Sequence, residues 1–410
     1  MRDVEGYLDA IRQRYGGASK RGKGRLLDEV CQTLACHRKS AIRLLRRGPR
    51  TGEPRRRRGR PPVTNALVDG ALRQVWEASG EMGAKRLAPF LPELVAALER
   101  HGHLTVTPEV KAALVTLKPT TIDRKLRSHR RLRKRPLFGG GSSSPSAIKA
   151  QVPLRTFTEW SGVEPGSLQI DLVLHCGDTT AGFYVTTLTA VDVASSWTER
   201  VAIWGKAQRA VTGGLHRVRT ALPIPVREVH SDNGSEFLND LLQPYCRNAG
   251  IRTTRGRPYK KNDQAYVEQK NWTAVRAVVG YARYSSRVAY RRLGELYELE
   301  RLYRNFFQPV RKLVAKEREG AKVRKRYDVA QTPYQRLVAS GKLDAPKHDQ
   351  LARLHDLLDP VHLQQQIAAA QRTLFAEREL PKTSRAAQAR SRLVDAPAKQ
   401  SAGGEEATTP

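Results

Sequence analysis

The segment Leu168-Gln-Ile-Asp-Leu-Val-Leu-His175 decides the fold class of this 410-residue chain. Its aliphatic residues recur at every second position, which predicts a β-strand with one apolar face. Asp171 falls on the opposite face, together with Gln169 and Val173. An acidic residue inside a predicted strand is uncommon, so this position calls for a functional or a structural reason.

Strands and helices continue on the C-terminal side of this segment. The pattern predicts strands at 183–191, 197–204, 226–231 and 251–254, and helices at 206–222, at 235–249 and from about 263. Three successive strands followed by alternating helices and strands imply a central α/β domain. Its mixed five-stranded sheet would be covered by helices on both faces.

Two helical blocks precede this predicted domain. Residues 4–47 predict short amphipathic helices that resemble a helix-turn-helix, with Arg38, Lys39 and Arg43 directed outward to DNA. In residues 66–135, a capped helix start near Thr120 predicts a second recognition helix that presents Arg124, Lys125 and Arg127. Short helices occur in many small helical domains, and the charge favours the interpretation as DNA-binding modules.

A basic segment joins the two helical blocks. Its residues Arg57, Arg58, Gly59 and Arg60 resemble an AT-hook, whose glycine lets the backbone enter a narrow minor groove while arginines follow the negative potential. A plain basic linker fits so short a match equally well. Both interpretations place the segment near phosphate groups.

The composition favours a polyanionic partner. Lys and Arg number 73 against 40 Asp and Glu, a formal net charge of +33, which points first to nucleic acid. No run of about 18 apolar residues and no basic-then-apolar leader occurs, so we expect no membrane association. Four scattered cysteines predict free, buried thiols rather than disulfides. A zinc site at Cys31, Cys36 and His37 is rejected, because no second ligand pair follows.

Three acidic residues form the candidate catalytic set. Besides Asp171, Asp232 follows a predicted strand in His230-Ser-Asp-Asn-Gly234, at the strand edge where α/β sheets gather their active sites. Glu268 lies 36 positions further on, in a predicted helix with Gln264, Asn271 and Trp272 on the same side. Carboxylates that hold one or two Mg²⁺ ions can assist phosphodiester chemistry.

Each acid also has an alternative interpretation. Asp178 or Asp192 could replace Asp171 as a metal ligand, Asp232 could serve only the Asn233-Gly234 turn, and Glu268 could be a solvated helix residue. His175 and His230 flank the set, and we expect supporting or structural roles for them. Arg257, Lys260 and Lys261 are candidates for holding DNA beside the acids, or belong to a solvated charged loop.

The set Asp171, Asp232 and Glu268, with 35 residues between the last two, resembles the signature of insertion-sequence DDE transposases with a retroviral-integrase-type core. The resemblance implies a ribonuclease H-like fold in which the three acids are metal ligands and catalytic residues. It implies Mg²⁺, with Mn²⁺ as a substitute, and two ions. It also implies cleavage and joining of double-stranded DNA at transposon ends and target, by a homo-oligomer in the bacterial cytoplasm at the nucleoid.

The resemblance is loose outside the core. The integrase-type zinc module and a C-terminal barrel are not visible in the sequence, so retroviral domain organisation is not carried over. We expect a helix-turn-helix domain at 1–50, an AT-hook-like linker at 51–64, a second helical DNA-binding domain at 65–136, a flexible linker at 137–150, the catalytic core at 151–285, a largely helical region at 286–380 and a disordered tail at 381–410. A DNA-binding regulator with a non-catalytic core, and a metal-dependent nuclease on the same fold, are the alternative functions.

Overall fold

The structure, a computed structural model, describes residues 2–46, 66–129, 152–153, 155, 160, 162–257 and 261–379. The chain divides into two compact units, residues 1–63 and 64–410. The domain boundaries within these units stay a prediction. The AT-hook-like segment, the linker at 137–150 and the tail at 381–410 lie outside the described residues.

The described part of the first unit, residues 2–46, contains three helices, α1 (Arg2–Gly17), α2 (Lys20–Thr33) and α3 (Arg38–Arg46). Ser19 begins α2, because its side chain accepts a hydrogen bond from the backbone N–H of Gly22. The helices share an apolar core of Leu8, Ile11, Leu26, Leu27, Val30, Ala41 and Leu45. The predicted helical N-terminal region is therefore confirmed.

The second unit begins with another helical block, α4 (Ala66–Ala78), α5 (Ala84–Arg100), α6 (Pro108–Val115) and α7 (Pro119–Lys125). This block packs against the C-terminal region. The Gln308 side chain donates to Ser79 O at 3.0 Å, and His103 Nε2 lies 2.7 Å from a carboxylate oxygen of Asp359.

The predicted mixed five-stranded sheet is confirmed. Its strands are β1 (Ser167–Leu174), β2 (Thr186–Asp192), β3 (Thr198–Ile203), β4 (Glu228–Ser231) and β5 (Arg252–Arg255). They lie in the order β3-β2-β1-β4-β5, with β1, β2 and β3 antiparallel and β1, β4 and β5 parallel. This order is that of the ribonuclease H-like fold.

The two faces of the sheet differ in polarity. Leu168 and Ile170 point to the face that α8 (Gln208–Ala221) covers. This helix lies so close that a Cβ on Gly214 would be 2.8 Å from Ile203 Cγ2, so the contact requires glycine. On the other face, Asp171 pairs with Thr189 and Thr189 with Arg200, so the three side chains lie in one row.

A helix with an irregular middle covers this polar face. After α9 (Leu242–Asn248) and β5, a 3₁₀ turn (Lys261–Gln264) leads into α10 (Ala265–Lys270), a π-helical segment (Asn271–Arg276) and α11 (Ala277–Val279). The predicted helix at 235–249 forms only in its second half, because Asn239 Oδ1 accepts from the backbone N–H groups of Leu241 and Leu242 and so starts α9 late.

The C-terminal region is helical apart from one hairpin. It contains α12 (Arg287–Phe307), β6 (Leu313–Glu319), β7 (Lys322–Tyr327), α13 (Pro333–Ala339), α14 (Ala345–Leu357) and α15 (Pro360–Ala376). The hairpin was not predicted. Helices α14 and α15 are separate, because Pro360 has no N–H to continue α14 and Asp359 caps α15 through the N–H groups of Val361 and His362.

Candidate active site

Asp171 occupies the interior of β1, beneath the helix that carries Glu268. Its Oδ1 accepts the backbone N–H of Leu172 at 2.8 Å, and its Oδ2 accepts the amide of Asn271 at 2.5 Å. The sequence placed Asn271 beside Glu268. The contact with Asp171 was not predicted.

Asp232 follows β4 and shapes the loop that leaves the sheet. Its Oδ1 accepts the backbone N–H of Gly234 at 2.8 Å. Asp232 therefore does stabilise the turn at Asn233-Gly234, as its alternative interpretation supposed. A Cβ on Gly234 would lie 2.8 Å from this oxygen and 2.7 Å from Glu236 Oε2. Gly234 therefore leaves open a space between two carboxylates. Glu236 was missed by the sequence analysis, and nothing in its spacing marked it.

Glu268 is exposed on α10, and Gln169 fixes the start of that helix. The Gln169 amide donates to Asp263 O at 2.9 Å, and its Oε1 accepts the backbone N–H groups of Tyr266 and Val267 at 3.1 and 3.2 Å. Gln169 shares the sheet face of Asp171. One strand therefore supplies both the half-buried Asp171 and the anchor of the helix bearing Glu268.

The three acids act on one another electrostatically. Burial first, and then the negative charges of Asp232 and Glu268, raise the pKa of Asp171 from 3.8 to about 7, against the hydrogen bonds from Leu172 and Asn271, which lower it. The set contains only carboxylate oxygens, the donors that Mg²⁺ and Mn²⁺ prefer. Within the described ranges, no three His, Cys, Asp or Glu side chains are gathered closely enough to be ligands of one ion.

Asp192 and Asp178 have other surroundings. Asp192 pairs with Leu168 and so lies on the sheet face opposite Asp171. It is buried and accepts hydrogen bonds from Gly166 N, Ser195 N and Ser195 Oγ, which close the turn between β2 and β3. Asp178 is exposed in a turn. These positions favour Asp171 over both alternatives.

His175 and His230 are buried and neutral at physiological pH. His175 Nε2 lies 2.7 Å from Thr187 Oγ1, and burial lowers its pKa to about 3. His230 Nδ1 lies 3.0 Å from Thr254 Oγ1, and burial lowers its pKa to about 4. These contacts fit the structural roles expected from the sequence.

The raised pKa of Asp171 predicts a pH dependence of stability. Its carboxyl group ionises near pH 3.8 when unfolded and near pH 7 when folded, so the folded state holds an extra proton between those values. In metal-free buffer, its contribution to the free energy of unfolding should fall as pH rises from about 4 to 7. Urea unfolding of wild type and Asp171→Asn at several pH values in EDTA measures the difference.

The control for this prediction is Asp178→Asn, which removes an exposed carboxylate from the loop after the same strand. It should unfold in parallel with the wild type across the window. A constant stability difference between wild type and Asp171→Asn at all these pH values contradicts the raised pKa.

The predicted DNA contacts of α3 are exposed. Arg38, Lys39 and Arg43 all reach solvent, and Arg38 forms an ion pair with Asp28 of α2. Arg57, Arg58, Gly59, Arg60 and Lys260 lie outside the described residues, as does the side chain of Lys261. DNA binding by these residues stays a prediction.

Two other predicted contacts have protein partners. Arg124 and Arg127 are exposed, but the expectation that Lys125 points outward is wrong: its side chain is 14% exposed and its Nζ lies 2.6 Å from Asp69 Oδ1. The acid on α4 draws the lysine inward. Arg257 makes a fork with the buried Asp263, at 2.9 and 3.0 Å, so part of its charge is used within the loop.

The four cysteines are free thiols. Only Cys246 is fully buried, whereas Cys31, Cys36 and Cys176 are partly exposed, so the expectation of burial holds for one of the four. Among the described residues, no helix has the length and apolar composition needed to cross a membrane.

Comparisons with known proteins show which families and proteins the chain is similar to. The integrase core domain family matches residues 164–261, which include β1 to β5 and the positions of Asp171 and Asp232. A Sinorhizobium fredii protein described as the uncharacterized protein y4rM is 41% identical over 320 residues, covering 78% of this chain and 91% of the relative. The catalytic core domain of BIV integrase aligns over 43% of this chain and 95% of its own, with 20% identity and a TM-score of 0.27. The chain therefore belongs to the same family as this Sinorhizobium fredii protein, and its residues 164–261 belong to the integrase core domain family.

Proposed function

We propose that the protein is the DNA transposase of an insertion-sequence element, which cleaves and joins DNA strands at transposon ends. The observation that carries the proposal is the environment of Asp171, whose carboxyl group is held in the sheet and is acted on by the charges of Asp232 and Glu268. A carboxyl group whose pKa is raised by burial and by neighbouring acids is typical of sites that handle charge during a reaction. Residues Asp171, Asp232 and Glu268 are the proposed catalytic residues and metal ligands.

A divalent metal fits the donor chemistry of this set. Because the described residues offer no three His, Cys, Asp or Glu side chains to a single ion, Asp171, Asp232 and Glu268 would hold Mg²⁺, or Mn²⁺ in its place, as two ions divided among the three acids. When bound, such ions supply a charge that activates the attacking oxygen and stabilises the leaving oxygen. Burial is the main cause of the raised pKa of Asp171, and the repulsion from Asp232 and Glu268 that adds to it is the interaction that a dication would relieve.

The chain's own residues position this set. Asn271 holds one oxygen of Asp171 and Leu172 N–H the other, so the carboxylate has a fixed orientation. Gln169 anchors the helix of Glu268, and the Gly234 turn fixes Asp232. These contacts support a reaction in which water releases a 3′ hydroxyl at the transposon end and that hydroxyl attacks target DNA, without a covalent protein intermediate.

The substrate we propose is double-stranded DNA, held by the basic helical modules as well as the core. The net charge of +33 supports a polyanionic partner. Joining two ends to one target also requires more than one active site, so we propose a homo-oligomer assembled on DNA in the bacterial nucleoid.

The test is a strand-transfer assay with the full chain. Labelled duplexes carrying the inverted repeats that flank the reading frame are incubated with unlabelled target DNA, in Mg²⁺ or in EDTA. We expect nicked ends and labelled products longer than the substrate in Mg²⁺, and neither in EDTA. Shorter products alone identify a nuclease, and binding without any product identifies a regulator. Either result overturns the proposal.

A further inference from the structure

The hairpin of β6 and β7 has two faces that differ in charge. Lys316 pairs with Lys325 and Arg318 with Val323, so these four side chains share one face. Glu317 pairs with Arg324, and Glu319 and Arg326 lie on that second face. We call the first the cationic face (Lys316, Arg318, Lys325) and the second the paired face (Glu317, Glu319, Arg324, Arg326).

Each acid of the paired face is balanced by an arginine within the hairpin. Arg324 lies 3.8 Å from Glu319, and Arg326 lies 3.9 Å from Glu317. The cationic face has no such balance: among the described residues, no acidic side chain forms an ion pair with Lys316, Arg318 or Lys325. All three are exposed, and the 41% exposed Val323 lies between them.

The base of the hairpin is fixed to the rest of the second unit. The Lys312 backbone N–H donates to Asp328 Oδ1 at 2.6 Å, and Lys312 Nζ donates to the carbonyl groups of Val193 and Ala194 after β2. Arg336 of α13 forms an ion pair with Asp328 at 2.8 Å. The two strands thus project from a firm base, although both of their faces remain exposed.

We propose that the cationic face of this hairpin binds duplex DNA through its phosphate backbone. The cationic face combines two directly paired lysines with a neighbouring arginine and contains no acid. Its charge is complementary to that of a polyanion. A two-stranded ribbon fits the major groove, and the isolated ribbon, marginally stable by itself, gains packing there. The inference rests on the proposed function for the identity of the polyanion.

The test compares two double variants of the full chain that remove the same charge from opposite faces. Lys316→Gln/Lys325→Gln changes the cationic face, and Arg324→Gln/Arg326→Gln is the matched control on the paired face. Fluorescence anisotropy with a labelled 30-base-pair duplex in EDTA gives the affinity between 50 and 300 mM salt. Each lost phosphate contact lowers the slope of log affinity against log salt by about 0.9, so the lysine pair should lower it by about 1.8 and the arginine pair hardly at all.

If the slope of log affinity against log salt is the same for the two variants, the proposal is overturned. The loss of binding would then come from the lower net charge and not from contacts of the cationic face. Binding of the wild type to phosphatidylserine vesicles that the lysine variant loses, with an unchanged DNA slope, also overturns it in favour of a membrane surface. Because the measurement is made without metal, failure of strand transfer leaves this result intact. Conversely, loss of the slope difference does not affect the strand-transfer result.

Discussion

Replacing Asp232 with Asn is expected to reduce Mg²⁺-dependent strand transfer by about 10³-fold or more, because several kcal/mol of charge stabilisation depend on the metal ligands. Asparagine keeps the shape and the acceptor oxygen that closes the Gly234 turn, so the loop should keep its conformation. Only the negative charge is removed. Glu268→Gln should have an effect of the same order, since Glu268 is exposed and glutamine keeps its size while removing the charge.

The matched control is Asp240→Asn, which neutralises an exposed acid in the same loop and should retain strand transfer. All variants should bind transposon ends as the wild type does. Strand transfer within tenfold of the wild type in Asp232→Asn or Glu268→Gln would show that the residue is outside the catalytic set. A gel that separates nicked from joined products also shows which step is lost.

Replacing Glu300 with Ala is expected to lower the free energy of unfolding by about 3–5 kcal/mol, the cost of leaving a buried charge without its partner. Glu300 is 6% exposed and lies 3.4 Å from Arg200, whose side chain is fully buried on the polar sheet face. Glu300 also forms an ion pair with Arg304. Without Glu300, Arg200 would keep its Nη1 hydrogen bond to Ala274 O at 2.8 Å and its contact with the Tyr297 ring, but no carboxylate partner, and its Nε and Nη2 have no hydrogen-bond partner among the described residues.

Glu295→Ala, in the same helix, is the control for this prediction. Its partner Arg292 lies 3.0 Å away, and both side chains are about half exposed, so the pair should contribute less than about 1 kcal/mol. Urea unfolding followed by tryptophan fluorescence measures both variants, because Trp197 packs against Phe306 of the same helix. Similar losses in the two variants would mean that the buried ion pair does not stabilise this part of the chain.

The strands of the core were predictable because each has a clear apolar face. The alternation in 168–175 placed Asp171 on the polar face, and the structure confirms the sheet in which it lies. The hairpin at 313–327 was not predictable in this way. Neither face of the hairpin is buried, so its sequence has no alternation of apolar and polar residues. The two faces differ only in whether their charged side chains form ion pairs.

Contacts between distant residues were the other part that the sequence did not reveal. Gln169 and Asn271 were recognisable as polar neighbours of the acids, but the bonds to Tyr266 N and Asp171 depend on how α10 crosses the sheet. Lys125 illustrates the same point in reverse. Its helix position predicted exposure, and a single acid on another helix, Asp69, brought it inward.

The π-helical segment Asn271–Arg276 makes the spacing between α10 and α11 intolerant of length changes. A wide turn of this kind contains one residue more than an ordinary helical turn, and each residue rotates the helix by about 100°. The first residue of the segment, Asn271, donates to Asp171, and its last residue, Arg276, donates to Leu174 O at the end of the same strand. A one-residue deletion within 272–275 would favour a regular helix and misalign one of these two contacts. Natural sequence variation in this stretch should therefore be confined to substitutions.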